Sequence, residues 1–75
     1  MTKEEAQVIT NEILEKLGDN YLKDGIVYIT KNAMLEKTDN NLHEYRVFVH
    51  LISNTGNILI PIEYDEFKSQ FKKSI

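Results

Sequence analysis

The sequence predicts an α+β domain: a helix, a three-stranded antiparallel meander and a second helix (α-β-β-β-α), with both helices on one face of the sheet. Three patterns carry that prediction. Near the N-terminus apolar residues recur every three or four positions, at Ala6, Ile9, Ile13 and Leu17. From Tyr45 to Leu51 they alternate, and at Tyr64, Phe67 and Phe71 the spacing becomes helical again. The 75 residues are expected to make one small domain, residues 1–75. A chain this short buries only about 60–65% of the surface its unfolded form exposes, so its core is expected to be thin.

Thr2 to Leu17 reads as the first helix. Thr2 and Glu5 fit a capping box, in which a hydroxyl and a carboxylate satisfy each other's free backbone donors. Thr10 and Leu14 flank the apolar stripe and Val8 sits off it. Gly18 follows as the residue that ends a helix at positive φ. Asp19 to Gly25 reads as a connection with Asp24-Gly25 as its turn. Ile26 to Thr30 is β-branched and aromatic, hence a strand, extending toward Leu35 with a bulge or break at Lys31-Asn32. Lys37 to Asn41 reads as a polar loop.

Glu44 to Ser53 is the clearest strand. Tyr45, Val47, Val49 and Leu51 point one way, and Glu44, Arg46, Phe48, His50 and Ile52 the other. Asn54 to Asn57 is a turn and Ile58 to Ile62 the returning strand. A two-residue Thr55-Gly56 loop sets Leu51 opposite Ile60 and Val49 opposite Ile62. A three-residue loop would set His50 opposite Ile60 and Val49 opposite Pro61. The first register keeps the apolar positions together, because a one-residue slip exchanges the faces. Pro61 lacks an N–H and so marks an edge strand. Glu63 to Lys73 reads as the second helix, with Tyr64, Phe67 and Phe71 as its stripe and Ile75 within reach of it. Its early carboxylates and late lysines complement the helix dipole. The expected core is Ile9, Ile13, Leu17, Val27, Ile29, Val47, Val49, Leu51, Ile60, Ile62, Phe67 and Phe71.

The chain has no cysteine, which removes disulfides, thiolate metal sites and thiol nucleophiles. It has no apolar run near the ~18 residues of a membrane span, and the polar start Met1 to Glu5 has no leader core. The expected setting is soluble and cytoplasmic. His43 and His50 are seven positions apart on or beside one strand, on opposite faces, and do not converge on a metal. Asp19-Asn20 and Asp39-Asn40-Asn41 are explained as turn chemistry. Glu63, Asp65 and Glu66 are explained by their place at a helix start. Ser53, Ser69 and Ser74 have no neighbouring base, and the three glycines are not spaced as a phosphate loop. No cofactor and no catalytic activity are expected.

One surface rises above this background. If both helices cover the Val47, Val49 and Leu51 face, the opposite face lies open. It would carry Phe48, Ile52, Leu59 and either Tyr28 or Ile26, rimmed by Arg46, Glu44 and His50. An apolar patch with an aromatic anchor and a polar border suits a protein-binding module that contacts a partner protein or a second copy of itself. The candidate contact residues are thus Phe48, Ile52, Leu59, Tyr28, Arg46 and His50. A small regulator or inhibitor, of the kind phages and mobile elements encode, fits the size. The competing expectation is that the C-terminal helix or the Asp19–Gly25 segment folds over this side and makes it core.

The order helix, three strands, helix also resembles the topology of the double-stranded-RNA-binding domain. His43 lies after the first hairpin loop, where that family carries Gly-Pro-x-His, but Asp39-Asn40-Asn41-Leu42 contains no Gly-Pro. The second helix opens Glu63-Tyr64-Asp65-Glu66, where that family places lysines to meet phosphates. The resemblance implies a nucleic-acid alternative, with Tyr28 and Phe48 as stacking platforms for single strands and Arg46 beside them. The net charge of −3 and the scatter of Lys3, Lys16, Lys23, Lys31, Lys37 and Arg46 argue against it; only Lys68, Lys72 and Lys73 cluster.

Overall fold

Helix α1 (Lys3–Leu14) leads into a hairpin of β1 (Asn20–Lys23) and β2 (Ile26–Lys37). The strands β3 (Tyr45–Ser53) and β4 (Leu59–Glu63) follow, then α2 (Tyr64–Gln70) and a short β5 (Lys72–Lys73). The computed structural model describes residues 1–38, 44–55 and 59–73, for Leu59 the backbone alone. The five strands form one antiparallel sheet in the order β4-β3-β2-β1-β5. The fold is therefore α+β as expected, but the sheet has two strands more than the three-stranded meander.

Helix α1 is capped at Thr2 by one half of the expected capping box; the Glu5 carboxylate takes the Thr2 hydroxyl rather than the Thr2 N–H. The Glu5 N–H donates to Thr2 Oγ1 at 3.2 Å, and that hydroxyl donates to Glu5 Oε1 at 3.1 Å. The helix ends at Leu14, one turn before the expected Leu17, because the sheet claims the next residues. Thr30 Oγ1 donates to the Lys16 carbonyl at 3.0 Å, and the Gly18 N–H donates to the Thr30 carbonyl at 2.9 Å. Gly18 reaches that carbonyl at φ +90°, a conformation side chains disfavour. Leu17 thereby leaves the apolar stripe and is 46% exposed, so it is not core.

The Asp19–Gly25 connection is instead mostly a strand and its turn. Asp24 and Gly25 both take positive φ, 52° and 76°, as the tightest right-twisting hairpin turns require. Lys23 then pairs with Ile26 and Asn20 with Ile29. Asn20-Tyr21-Leu22-Lys23 is too short and too polar to announce itself; β2 supplies the partner that makes it a strand. At Gly25 nothing crowds a Cβ, so Gly25→Ala meets only backbone strain. We expect it to cost about 1 kcal/mol in a urea unfolding curve.

Strand β2 is 12 residues long and, of the bulge or break expected at Lys31-Asn32, carries the bulge, its register shifting between Thr30 and Asn32. The extra residue reverses the side-chain alternation. Leu35 and Ala33 pair with Val47 and Val49 on one face, and beyond the bulge Thr30 and Tyr28 continue that face opposite Leu51 and Ser53. Val27 and Ile29 consequently point to the other side. They were expected in the core and are not there.

The β3–β4 register is the one the two-residue loop predicts: Leu51 faces Ile60, Val49 faces Ile62 and Ile52 faces Leu59. Gly56, Asn57, Ile58, His43 and Asp39 to Leu42 lie outside the described residues. Strand β4, with Pro61, is an edge of the sheet. Helix α2 is shorter than Glu63–Lys73: Phe71 turns to extended backbone (φ −109°, ψ 138°) and the chain pairs with β1, Lys72 opposite Leu22. The strand hidden in the expected connection is what draws it there; Ile75 lies outside the described residues.

The buried cluster is Ala6 and Ile13 of α1, Ala33 of β2, Val47, Val49 and Leu51 of β3, Phe67 of α2 and Phe71. Both helices therefore lean on one face of the sheet. Ile9 and Ile62 pack half-buried against the cluster, and Ile60 is also half-buried.

Candidate functional site

The strand registers place a second apolar set on the face the helices leave free. Leu22 pairs with Val27, Ile29 with Ile52, and Met34 with Phe48. None of these six belongs to the buried cluster or to the apolar residues packed against it. Leu22 is 41% and Met34 43% exposed, while Val27, Ile29, Phe48 and Ile52 are half-buried. That shielding is what side-by-side packing along a sheet provides without a covering layer.

Of the residues singled out from the sequence, Phe48, Ile52, Arg46 and His50 share this face. Leu59 faces Ile52 in register; its side chain lies outside the described residues. Tyr28 is a correction. It lies on the helix side, its ring edge-on to Phe71 at 5.3 Å between centroids, because the bulge sets its parity. Leu22, Val27, Ile29 and Met34 were missed. The register opposite Ile52 and Phe48 reveals Ile29 and Met34 once the reversal of parity at the Lys31 bulge is carried through the strand. The competing expectation of a folded-over cover is corrected too. Residues 20–23 widen the sheet, and α2 packs on the other face.

The border of the face is charged. Exposed Arg46 and half-buried Glu63 approach at 3.5 Å, a long contact worth little to stability. Glu44, expected on that border, instead accepts a hydrogen bond from the Met1 amine at 2.7 Å. That bond, and the positive charge behind it, hold the Glu44 carboxyl below its ordinary value. His50 is half-buried between Asn32 and Pro61 in register. Among the described residues no three His, Asp or Glu side chains converge as metal ligands.

On the opposite face a cleft of about 320 Å³ separates α1 from α2, walled by Ile13, Tyr21, Tyr64, Phe67 and Phe71. Tyr21 meets Phe67 edge-on at 4.8 Å. Burial pushes the Tyr21 hydroxyl above its ordinary pKa, and Asp19 adds to this while Lys73 opposes it. Folding thus favours the neutral phenol. Its contribution is complete below pH about 10, the unfolded value, and is lost as pH rises through the raised pKa. Tyr21→Phe is expected to flatten the alkaline fall in the urea midpoint above that pH.

No described helix is long and apolar enough to cross a membrane. The chain matches no family model, and neither a curated protein nor a solved structure is significantly similar to it.

Proposed function

We propose that this chain is a small protein-binding module, of the regulator or inhibitor type, whose contact surface is the helix-free face of the sheet. The observation that carries the reading is that face itself. Leu22, Val27, Ile29, Met34, Phe48 and Ile52 lie on it outside the buried cluster. Apolar side chains left outside the core on one face, here with Asn32 and His50 set between the Ile29–Ile52 and Met34–Phe48 pairs, mark interaction sites in soluble proteins. An aromatic, Phe48, with Arg46 two positions along the same strand, is the composition of a contact hot spot. The first partner to test is a second copy, since a thin core gains most from burying this face against itself.

A nucleic-acid reading draws less support. Tyr28, one of its two stacking platforms, turns to the other side. Glu63, Asp65 and Glu66 stand at the start of α2, where phosphates would be repelled. The five-stranded order also departs from the helix–three strands–helix likeness.

Sedimentation equilibrium across a concentration series tests the proposal. The expected result is a mass rising toward twice 8.8 kDa for the native chain and staying at 8.8 kDa for Phe48→Glu. A native chain that stays monomeric overturns self-association. The module reading then stands only if a captured partner is released by the same substitution.

A further inference from the structure

The two helices share a face of the sheet, and each packs on the strands more than on the other helix. Helix α1 lies on β2 and β3, and α2 on β3 and β4. The cleft of about 320 Å³ is the space left between them. Buried Thr30 of β2 lines it from the sheet, its hydroxyl already bound to the Lys16 carbonyl. Ile13, Phe67 and Phe71 are nearly covered, so the accessible aromatic wall is chiefly the half-buried rings of Tyr21 and Tyr64. This volume stands at the small end of ligand pockets. It admits one ring, and it excludes a helix, whose diameter alone is about 10 Å.

The charged groups at this cleft are mostly cationic. Lys16 and Lys68 line it, with Glu12 as the one carboxylate among the lining residues. Neither lysine forms an ion pair among the described residues. Lys68 stands over the Tyr64 ring, 4.8 Å from its centroid, and Lys23 over Phe71 at 5.5 Å. Lys73 and Asp19 neutralise each other at 3.4 Å. Lys16, Lys23, Lys68 and Lys73 thus meet Glu12 and Asp19 here, an excess of positive charge in a chain of net charge −3. Two phenols add neutral donors. After burial and Asp19, the Tyr64 phenol is a further cause raising the Tyr21 pKa, so the two hydroxyls lie near each other. Neither hydroxyl bonds to a described residue.

We infer that the cleft between α1 and α2 is a binding site for a small organic anion, with a single-ring apolar body and one carboxylate head. The ring packs against Tyr21, Tyr64 and the edges of Phe67 and Phe71, which gain from an aromatic partner. The head takes charge-assisted bonds from Lys16 and Lys68 and a bond from a tyrosine hydroxyl. A neutral or cationic ligand of the same shape forgoes the charged bonds. A second copy offers no such group, since its exposed large apolar side chains are all aliphatic, valine, leucine, isoleucine and methionine. The cleft lies on the helix-bearing face, away from Phe48, so this inference and the proposed contact surface can fail independently.

The probe is phenylpropionate, titrated into the isotopically labelled native chain at two protein concentrations and followed through amide resonances. The expected result is saturable shifts at Ile13, Tyr21, Thr30 and Phe67, with a Kd of about 1 mM or tighter and none at Phe48 or Ile52. Phenylpropionamide and phenylpropylamine are expected to bind about tenfold more weakly. The double variant Lys16→Gln, Lys68→Gln changes only exposed side chains. It should erase the preference for the anion and leave binding of the amide unchanged. Glu12→Gln, which removes the opposing carboxylate, should tighten phenylpropionate about twofold. Absence of saturation by about 20 mM overturns the inference, as does equal binding of the three probes by the native chain. So does an anion preference that survives in the double variant, or a set of largest shifts on the Phe48 face. Shifts that follow protein concentration rather than phenylpropionate overturn it too, because a second copy would then fill the cleft.

Discussion

Leu51→Ala is expected to cost about 3 kcal/mol, while Ile52→Ala, one residue along the same strand, costs less than about 1 kcal/mol. Leu51 is fully buried. It sits between Thr30 of β2 and Ile60 of β4, on the face both helices cover. Truncating it removes a buried isobutyl group and leaves a cavity whose walls, two strands and two helices, cannot all collapse inward. Ile52 is half-buried on the helix-free face, beside Ile29 in register, and water already reaches it. A domain of this length has roughly 4–11 kcal/mol of total stability, so Leu51→Ala removes a large part of it. Urea unfolding curves decide the matter: a shifted midpoint at unchanged slope for Leu51→Ala, and a nearly native curve for Ile52→Ala. Equal losses would mean that the second face is buried like the first.

Phe48→Glu is expected to abolish association and leave the urea midpoint within about 1 kcal/mol of native. The half-buried Phe48 ring lies beside Met34 on the helix-free face, so in the monomer a carboxylate there stays in water. In an interface the same carboxylate would be buried without a partner. That penalty runs to several kcal/mol, enough to remove a contact of ordinary strength. Val49→Glu, one position away, places its charge in the buried cluster and should prevent folding. The pair separates a surface effect from a core effect within one strand. A folded Phe48→Glu chain with undiminished association would move the contact away from this face.

Some elements were legible because their information is local. Thr2 and Glu5 define the start of α1 by their own hydrogen bonds. The alternation of β3 and the Pro61 edge yield the β3–β4 register, since only one register keeps Val49, Leu51, Ile60 and Ile62 together. The sites of the bulge and of the Asp24-Gly25 turn were also visible. Other features escaped because they depend on a distant partner. Strand β1 exists through β2, and β5 through β1. The end of α1 is decided by Thr30, far along the chain, which captures Lys16 and Gly18.

The candidate site divides the same way. Phe48, Ile52, Arg46 and His50 share a face by simple alternation, so the sequence by itself determined that they stand together. It also determined the α+β class and the apolar side of β3. Which side of β2 joins them was decided only by the tertiary structure. One extra residue at Lys31 reverses the parity of everything before it, sending Ile29 and Val27 to the open face and Tyr28 beneath the helices. Alternation encodes which residues share a face within an unbroken strand. It cannot carry that relation across a bulge, where the hydrogen bonds to β3 set the count anew.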